Sequence, residues 1–298
     1  MPKKQSIGYN INGFENELYE YICGIVGPDK IERNTRELID GKEIDIYIPH
    51  KKLAFEFNGL KWHSEKCGKG KNYHLSKTEE CFSKGVSLIQ IFEDEWRFKK
   101  KIVLSIVSDM LCFDGYKKRI NPKKCAIKEV GTKIARDFLI KNHINGYSAS
   151  SVYLGAYYND SLIALMSFKI RTGKSIWEMT RFCVGCDYSC QDISVDMFGY
   201  FIKKFSPEKV ISICDRRWVN NNGVDVFDKL NFQLKDVLPP IYYYTDCHQK
   251  REPKTQFKKQ TLHRKYGLPL DITEVKMAEN LGYYRIWDCG LFKYIWKK

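Results

Sequence analysis

The chain of 298 residues carries 50 Lys and Arg against 36 Asp and Glu, a net charge of +14, and 43% of it is hydrophobic, enough for two packed domains. No apolar run is long enough to cross a bilayer, and the start, MPKKQSIGYNING, lacks the apolar core of a signal peptide. Eleven cysteines without disulfide-like spacing suit a reducing, cytoplasmic compartment.

Taken in chain order, residues 43–63, EIDIYIPHKKLAFEFNGLKWH, predict two strands and a reversal. Alternate side chains of a strand share a face, so Glu43, Asp45 and Tyr47 look one way and Ile44, Ile46 and Ile48 the other. After the turn, Leu53, Phe55 and Phe57 form an apolar face opposite Ala54, Glu56 and Asn58. A four-residue loop of Pro49, His50, Lys51 and Lys52 pairs Ile48 with Leu53 and sets Asp45 across from Glu56. Opposed residues have Cβ atoms roughly 4.5–5.5 Å apart, where like charges destabilise. Two readings answer this: a bridging divalent cation such as Mg²⁺, or an acid exposed at a frayed end or neutralised by a nearby lysine. Gly59 then permits a turn that returns His63 towards the acids, where an imidazole suits general-base work.

Further on, His74, Lys77 and Cys81 fall on one face of a helix that Gly85 terminates. Val86 to Phe92 reads as a strand buried on both faces, and Glu93, Asp94 and Glu95 suit the amino terminus of a helix running to about Cys112. Glycine, proline and lysines at 115–125 suggest a boundary, giving expected domains of 1–118 and 119–298. Beyond it, strands and helices alternate as a mixed α+β unit, with a strand pair around Asn159-Asp160 and a strand VISICD before Arg216, Arg217 and Trp218.

IDIYIP, LAFEFNGLKWHSE, NYHLSKTEEC and LIQIFEDEW together resemble phage-encoded homing endonucleases of the EDxHD type and the very-short-patch mismatch-repair endonucleases, variants of the PD-(D/E)xK nuclease core. The resemblance covers roughly residues 10–115. It implies a Vsr-like nuclease fold (α+β or α/β) in which Asp45 and Glu56 bind Mg²⁺ or Mn²⁺ and His63 takes a proton. Glu15 of FENELYEYI, with Glu17 in reserve, and His74 would complete the pocket. Two departures are visible: Asn58 stands where the superfamily carries lysine, and His74 where EDxHD members carry aspartate. The second half resembles a GNAT (acetyltransferase-like) fold. Its loop Cys186 to Asp192 has no glycine and two acids, which argues against holding an acetyl-CoA pyrophosphate.

Residues 121–298 hold 29 basic against 18 acidic groups, a charge of +11, whereas residues 1–120 hold only +3. Such a surface attracts polyanions, DNA and RNA alike; with the resemblance to DNA endonucleases, double-stranded DNA is the expected partner ahead of RNA, with no membrane and either a monomer or a homodimer. The expected DNA contacts are Asn58, Lys77, Arg216, Arg217, Trp218, the amides Asn220, Asn221 and Asn222, and Lys254, Lys258, Lys259, Arg264 and Lys265 of the basic run 250–265. Arg217 and its neighbours equally fit a loop in which Asp215 pairs an arginine. Cys183, Cys186 and Cys190 are weighed as zinc ligands and set aside for want of a second ligand pair. The expected function is a metal-dependent DNA endonuclease, its rivals a non-catalytic DNA-binding protein with a degenerate nuclease core and an acetyltransferase.

Overall fold

The computed structural model describes residues 11–173, 175–219 and 226–298. Asn220, Asn221 and Asn222 lie outside the described residues. The chain forms two compact units, one of residues 1–98 with 242–287 and one of residues 99–241 with 288–298. This differs from a contiguous division at residue 118, because a late segment returns to the first unit.

The first unit opens with α1 (Ile11–Val26), whose Leu18, Ile22 and Val26 recur at helical spacing and are buried. Strands β1 (Glu32–Ile39), β2 (Lys42–Ile48) and β3 (Leu53–Asn58) follow, then α2 (Tyr73–Ser83) and β4 (Ser87–Phe92). The sheet order is β1-β2-β3-β4, antiparallel except for β3 beside β4. In β2 only Ile44, Ile46 and Ile48 are fully buried, as alternation predicts, whereas every residue of β3 and β4 is buried. The hairpin has the expected register, Ile48 opposite Leu53 and Ile46 opposite Phe55, with Lys52 left-handed at φ 47°. Helix α3 (Glu93–Met110) passes from the first unit to the second at Lys99, where φ of −137° breaks the helical geometry.

The second unit continues with β5 (Lys118–Arg119), β6 (Ala126–Glu129), α4 (Thr132–Asn142), β7 (Val152–Tyr158), β8 (Ser161–Thr172), β9 (Ile176–Val184), β10 (Tyr188–Ser189), α5 (Ile193–Phe205), β11 (Lys209–Asp215), α6 (Val226–Lys229) and β12 (Gln233–Leu238). Asn159 and Asp160 both take positive φ, the tight hairpin turn expected between β7 and β8. The chain then re-enters the first unit as β13 (Tyr242–Thr245), β14 (Arg251–Pro253), α7 (Lys259–Tyr266), α8 (Glu274–Asn280) and β15 (Tyr284–Trp287). These close a small sheet, β14-β13-β15, over Tyr244, Phe257, Leu262 and Met277. Strand β16 (Leu291–Lys297) completes the second unit's sheet, ordered β12-β16-β11-β9-β8-β7-β6.

Within that sheet only β9 and β11 run parallel, joined through α5. Phe201 of α5 stacks on Phe168 of β8 with centroids 3.5 Å apart, and Trp177 meets it edge-on. The core of the unit is built on this aromatic cluster. Among the described residues no helix is long and apolar enough to cross a membrane.

Candidate functional site

In the first unit, the side chains of β2, β3 and α2 form a polar cluster. Asp45 accepts a hydrogen bond from the Phe57 backbone N–H at 2.7 Å, and burial raises its pKa to about 6 against that bond. Glu56 is buried and ion-paired with Lys77 of α2, itself buried. Burial, and next the charge of Asp45, push the Glu56 pKa up, while Lys77 opposes them. Its Oε2 is buried without a hydrogen-bond partner among the described residues.

The expected face of α2 is real: His74, Lys77 and Cys81 are all buried. His74 Nε2 lies 3.1 Å from Nδ1 of His63, and the two rings stack at 19° with centroids 5.3 Å apart. Loss of solvent, then the cations Lys77 and Lys69, lower the His63 pKa, which favours a neutral His63 ring in this hydrogen bond. Glu15 instead accepts from Arg33 at 2.9 Å, and Glu17 accepts from Trp96 Nε1 at 2.9 Å.

This geometry identifies what compensates the facing acids. Of the two readings open at the sequence, the lysine holds: the ammonium of Lys77 occupies one oxygen of Glu56. Among the described residues no group of three or more His, Cys, Asp or Glu is arranged to hold a metal ion. The Mg²⁺ or Mn²⁺ site expected at Asp45 and Glu56 is corrected accordingly, since the cation that balances the pair belongs to the protein.

Several expected DNA contacts are interior. Asn58 is fully buried and donates to Gln90 Oε1 at 3.0 Å; Gln90 in turn donates to the His74 carbonyl and Thr78. Arg216 and Arg217 are buried, and Arg217 forks onto Asp215 at 2.6 to 3.1 Å, the pairing the loop alternative anticipated. Glu93, Asp94 and Glu95 are structural too: Leu60 N–H donates to Glu93 at 3.0 Å, while Arg251 pairs with Asp94 at 2.9 Å and Glu95 at 2.7 Å. Lys254, Lys258, Arg264 and Lys265 are exposed, and Lys259 is half-buried.

The second unit holds a feature that sequence reading missed. Strands β9 and β11 are paired from Ile176 and Lys209 to Met179 and Ser212, and there the ladder ends although both strands continue. A cavity of about 370 Å³ lies at the divergence, lined by residues 179–184 of β9, 212–215 of β11 and the turn after α4, with Trp218 beside them. The volume is in the range of small-molecule sites. Asp187 and Asp192, the acids that argued against a phosphate nearby, are paired with Lys101 at 2.7 Å and Lys229 at 2.6 Å. The one signal in the sequence was the β-α-β order around α5, which forces a parallel pair into an otherwise antiparallel sheet.

No protein-family model matches this chain, and no curated protein matches it. Solved structures similar to part of it include a GNAT family acetyltransferase from Elizabethkingia anophelis with acetyl-CoA bound, 13% identical, covering 59% of this chain and 99% of that one at a TM-score of 0.36. Others are an acetyltransferase from Bacillus subtilis in complex with CoA, 11% identical over 59% and 99% at 0.35, and an IAA acetyltransferase from Bacillus cereus, 9% identical over 58% and 99% at 0.34. At TM-scores this low the likeness assigns no activity, ligand or family to this chain. The expectation of a metal-dependent DNA endonuclease, with its hydrolase and homing assignments, is corrected on the site itself: Lys77 is paired with the acid that was to bind the metal, and among the described residues no group of three or more His, Cys, Asp or Glu is arranged to hold one.

Proposed function

We propose that the second unit binds an acyl-coenzyme A thioester where β9 and β11 part, and transfers its acyl group to an amine. The observation that carries this reading is the ended ladder beyond Met179 and Ser212 with a cavity at its side. A strand edge released from its partner offers N–H and C=O groups to an extended ligand, and a pantetheine arm supplies two amides for such pairing. The pairing of Asp187 with Lys101 and of Asp192 with Lys229 removes much of the repulsion towards a phosphate near α5. The loop still lacks glycines, so the diphosphate would meet the first-turn amides of α5 without a glycine cradle. Chromatographic measurement of free coenzyme A released from acetyl-CoA, with and without a panel of amines, tests the reaction. Amine-dependent release supports it; release no faster than in buffer contradicts it.

A second reading concerns the partner, and the surface of the returning segment favours it. Lys254, Lys258, Arg264 and Lys265 are exposed within twelve residues, and among the described residues no ion pair involves Lys258, Lys259 or Arg264. Such a cluster suits the phosphates of duplex DNA. We infer a DNA-binding role for the first unit on that basis, independent of any chemistry in the second.

A further inference from the structure

The cavity between the parted strands has a mixed lining of apolar and polar side chains. Ile106, Phe182 and Phe227 supply apolar surface. Two carboxylates reach its lining, and each is already engaged: Asp109 with Lys117 at 2.5 Å, Asp215 with Arg217 at 2.6 Å. Trp218, also on the lining, has its indole N–H buried with no hydrogen-bond partner among the described residues. A buried indole N–H without an acceptor is costly, and a ligand acceptor would satisfy it.

His143 adds a second donor. Its Nδ1 accepts from the Asn145 backbone N–H at 3.1 Å, so the neutral ring carries its proton on Nε2. The ring stays neutral because the loss of solvent around it, followed by the charges of Arg181 and Lys99, lowers its pKa. Those same cations make the local potential positive. Arg181 itself donates to the carbonyls of Gly146 and Thr180. The Trp218 indole and the His143 Nε2–H are thus two side-chain donors on the lining, close to the cations Arg181 and Lys99.

We propose that this cavity takes a small molecule with an apolar body and a carboxylate head, the head accepting from Trp218 Nε1–H and the His143 edge. The proposal deepens the reading of the same cleft and rests on it for the cleft being a ligand site, though not for acyl transfer. Hexanoate and hexylamine, matched in length and opposite in charge, are the probes, titrated calorimetrically and by the Trp218 indole ¹H–¹⁵N resonance. Hexanoate is expected to bind at least tenfold more tightly than hexylamine and to shift that resonance downfield, and Trp218→Phe, which keeps the ring and removes the N–H, to weaken hexanoate about tenfold. Equal binding of the two probes, or an unmoved indole resonance in the wild type, overturns the proposal even if the variant folds poorly. A parallel titration with acetyl-CoA separates the two readings. Hexanoate binding without acetyl-CoA binding leaves the proposal standing and removes acyl transfer; the reverse removes the proposal alone.

Discussion

Replacing Lys77 with methionine should expose how the first unit balances its acids. Lys77 and Glu56 keep only 8% and 6% of their side-chain surface, so water screens the pair little. Removing one partner of a buried pair costs roughly 3–5 kcal/mol because the other is left charged and uncompensated. Among the described residues Glu56 has no second donor to fall back on, since its Oε2 already lacks one. It can take a proton, however, because burial already raises its pKa, which places the cost of Lys77→Met near the low end, about 3 kcal/mol. Adding Glu56→Gln should recover most of it, since the double variant buries no charge at this position. The sign with pH follows: a carboxyl whose folded pKa lies above its unfolded value of 4.5 contributes stability fully present below 4.5 and lost as pH rises through the folded value. Removing Lys77 raises the folded value further, so both proteins lose stability in parallel from pH 4.5 upward and the deficit of Lys77→Met should grow only as pH rises through the wild-type value of about 8. Hydrogen exchange of the β3 amides across a urea series reads this locally. A variant within about 0.5 kcal/mol of wild type, the range of ordinary surface changes, would refute the reasoning.

Asp45→Asn should flatten part of the pH dependence of the first unit. The Asp45 pKa is raised from 3.8 to about 6, so wild type loses stability between those values as pH rises; the difference, bounded above by about 3 kcal/mol, is read as the gap in urea midpoints between the two proteins at pH 4 and pH 7. Gly290→Ala should destabilise the second unit by roughly 2–3 kcal/mol, because φ is +89° and a Cβ would sit 2.5 Å from the Leu238 carbonyl oxygen; an unchanged melting temperature would contradict this. If the returning segment tracks duplex phosphates, Lys258→Glu with Arg264→Glu should weaken DNA binding and lower the log–log salt slope by about 2. Fluorescence anisotropy across a salt series measures both.

The first sheet was largely legible because its signals are local. Alternation in EIDIYI, the Pro49–Lys52 loop and the helical spacing of His74, Lys77 and Cys81 depend on neighbours within a few residues, and each appears in the structure. What joins those pieces was not legible. Lys77 and Glu56 meet across twenty-one positions, and a polar face on a helix does not announce whether it meets water, metal or an acid. The basic run 250–265 misled in part because charge says nothing about burial: Arg251 turns inward onto Asp94 and Glu95, while Lys258 and Arg264 remain outside. Trp218 posed the same difficulty, since an aromatic beside two arginines fits a base-stacking surface as readily as a cavity wall. The cavity itself arises from where a ladder stops, and the end of pairing is set by the sheet as a whole.

Calorimetric titration of the full chain with acetyl-CoA tests the central claim about the second unit most directly. Micromolar binding with one site per chain, abolished by Cys214→Phe in the cavity lining, is the predicted result. No heat at millimolar acetyl-CoA, or binding indifferent to Cys214→Phe, would contradict it.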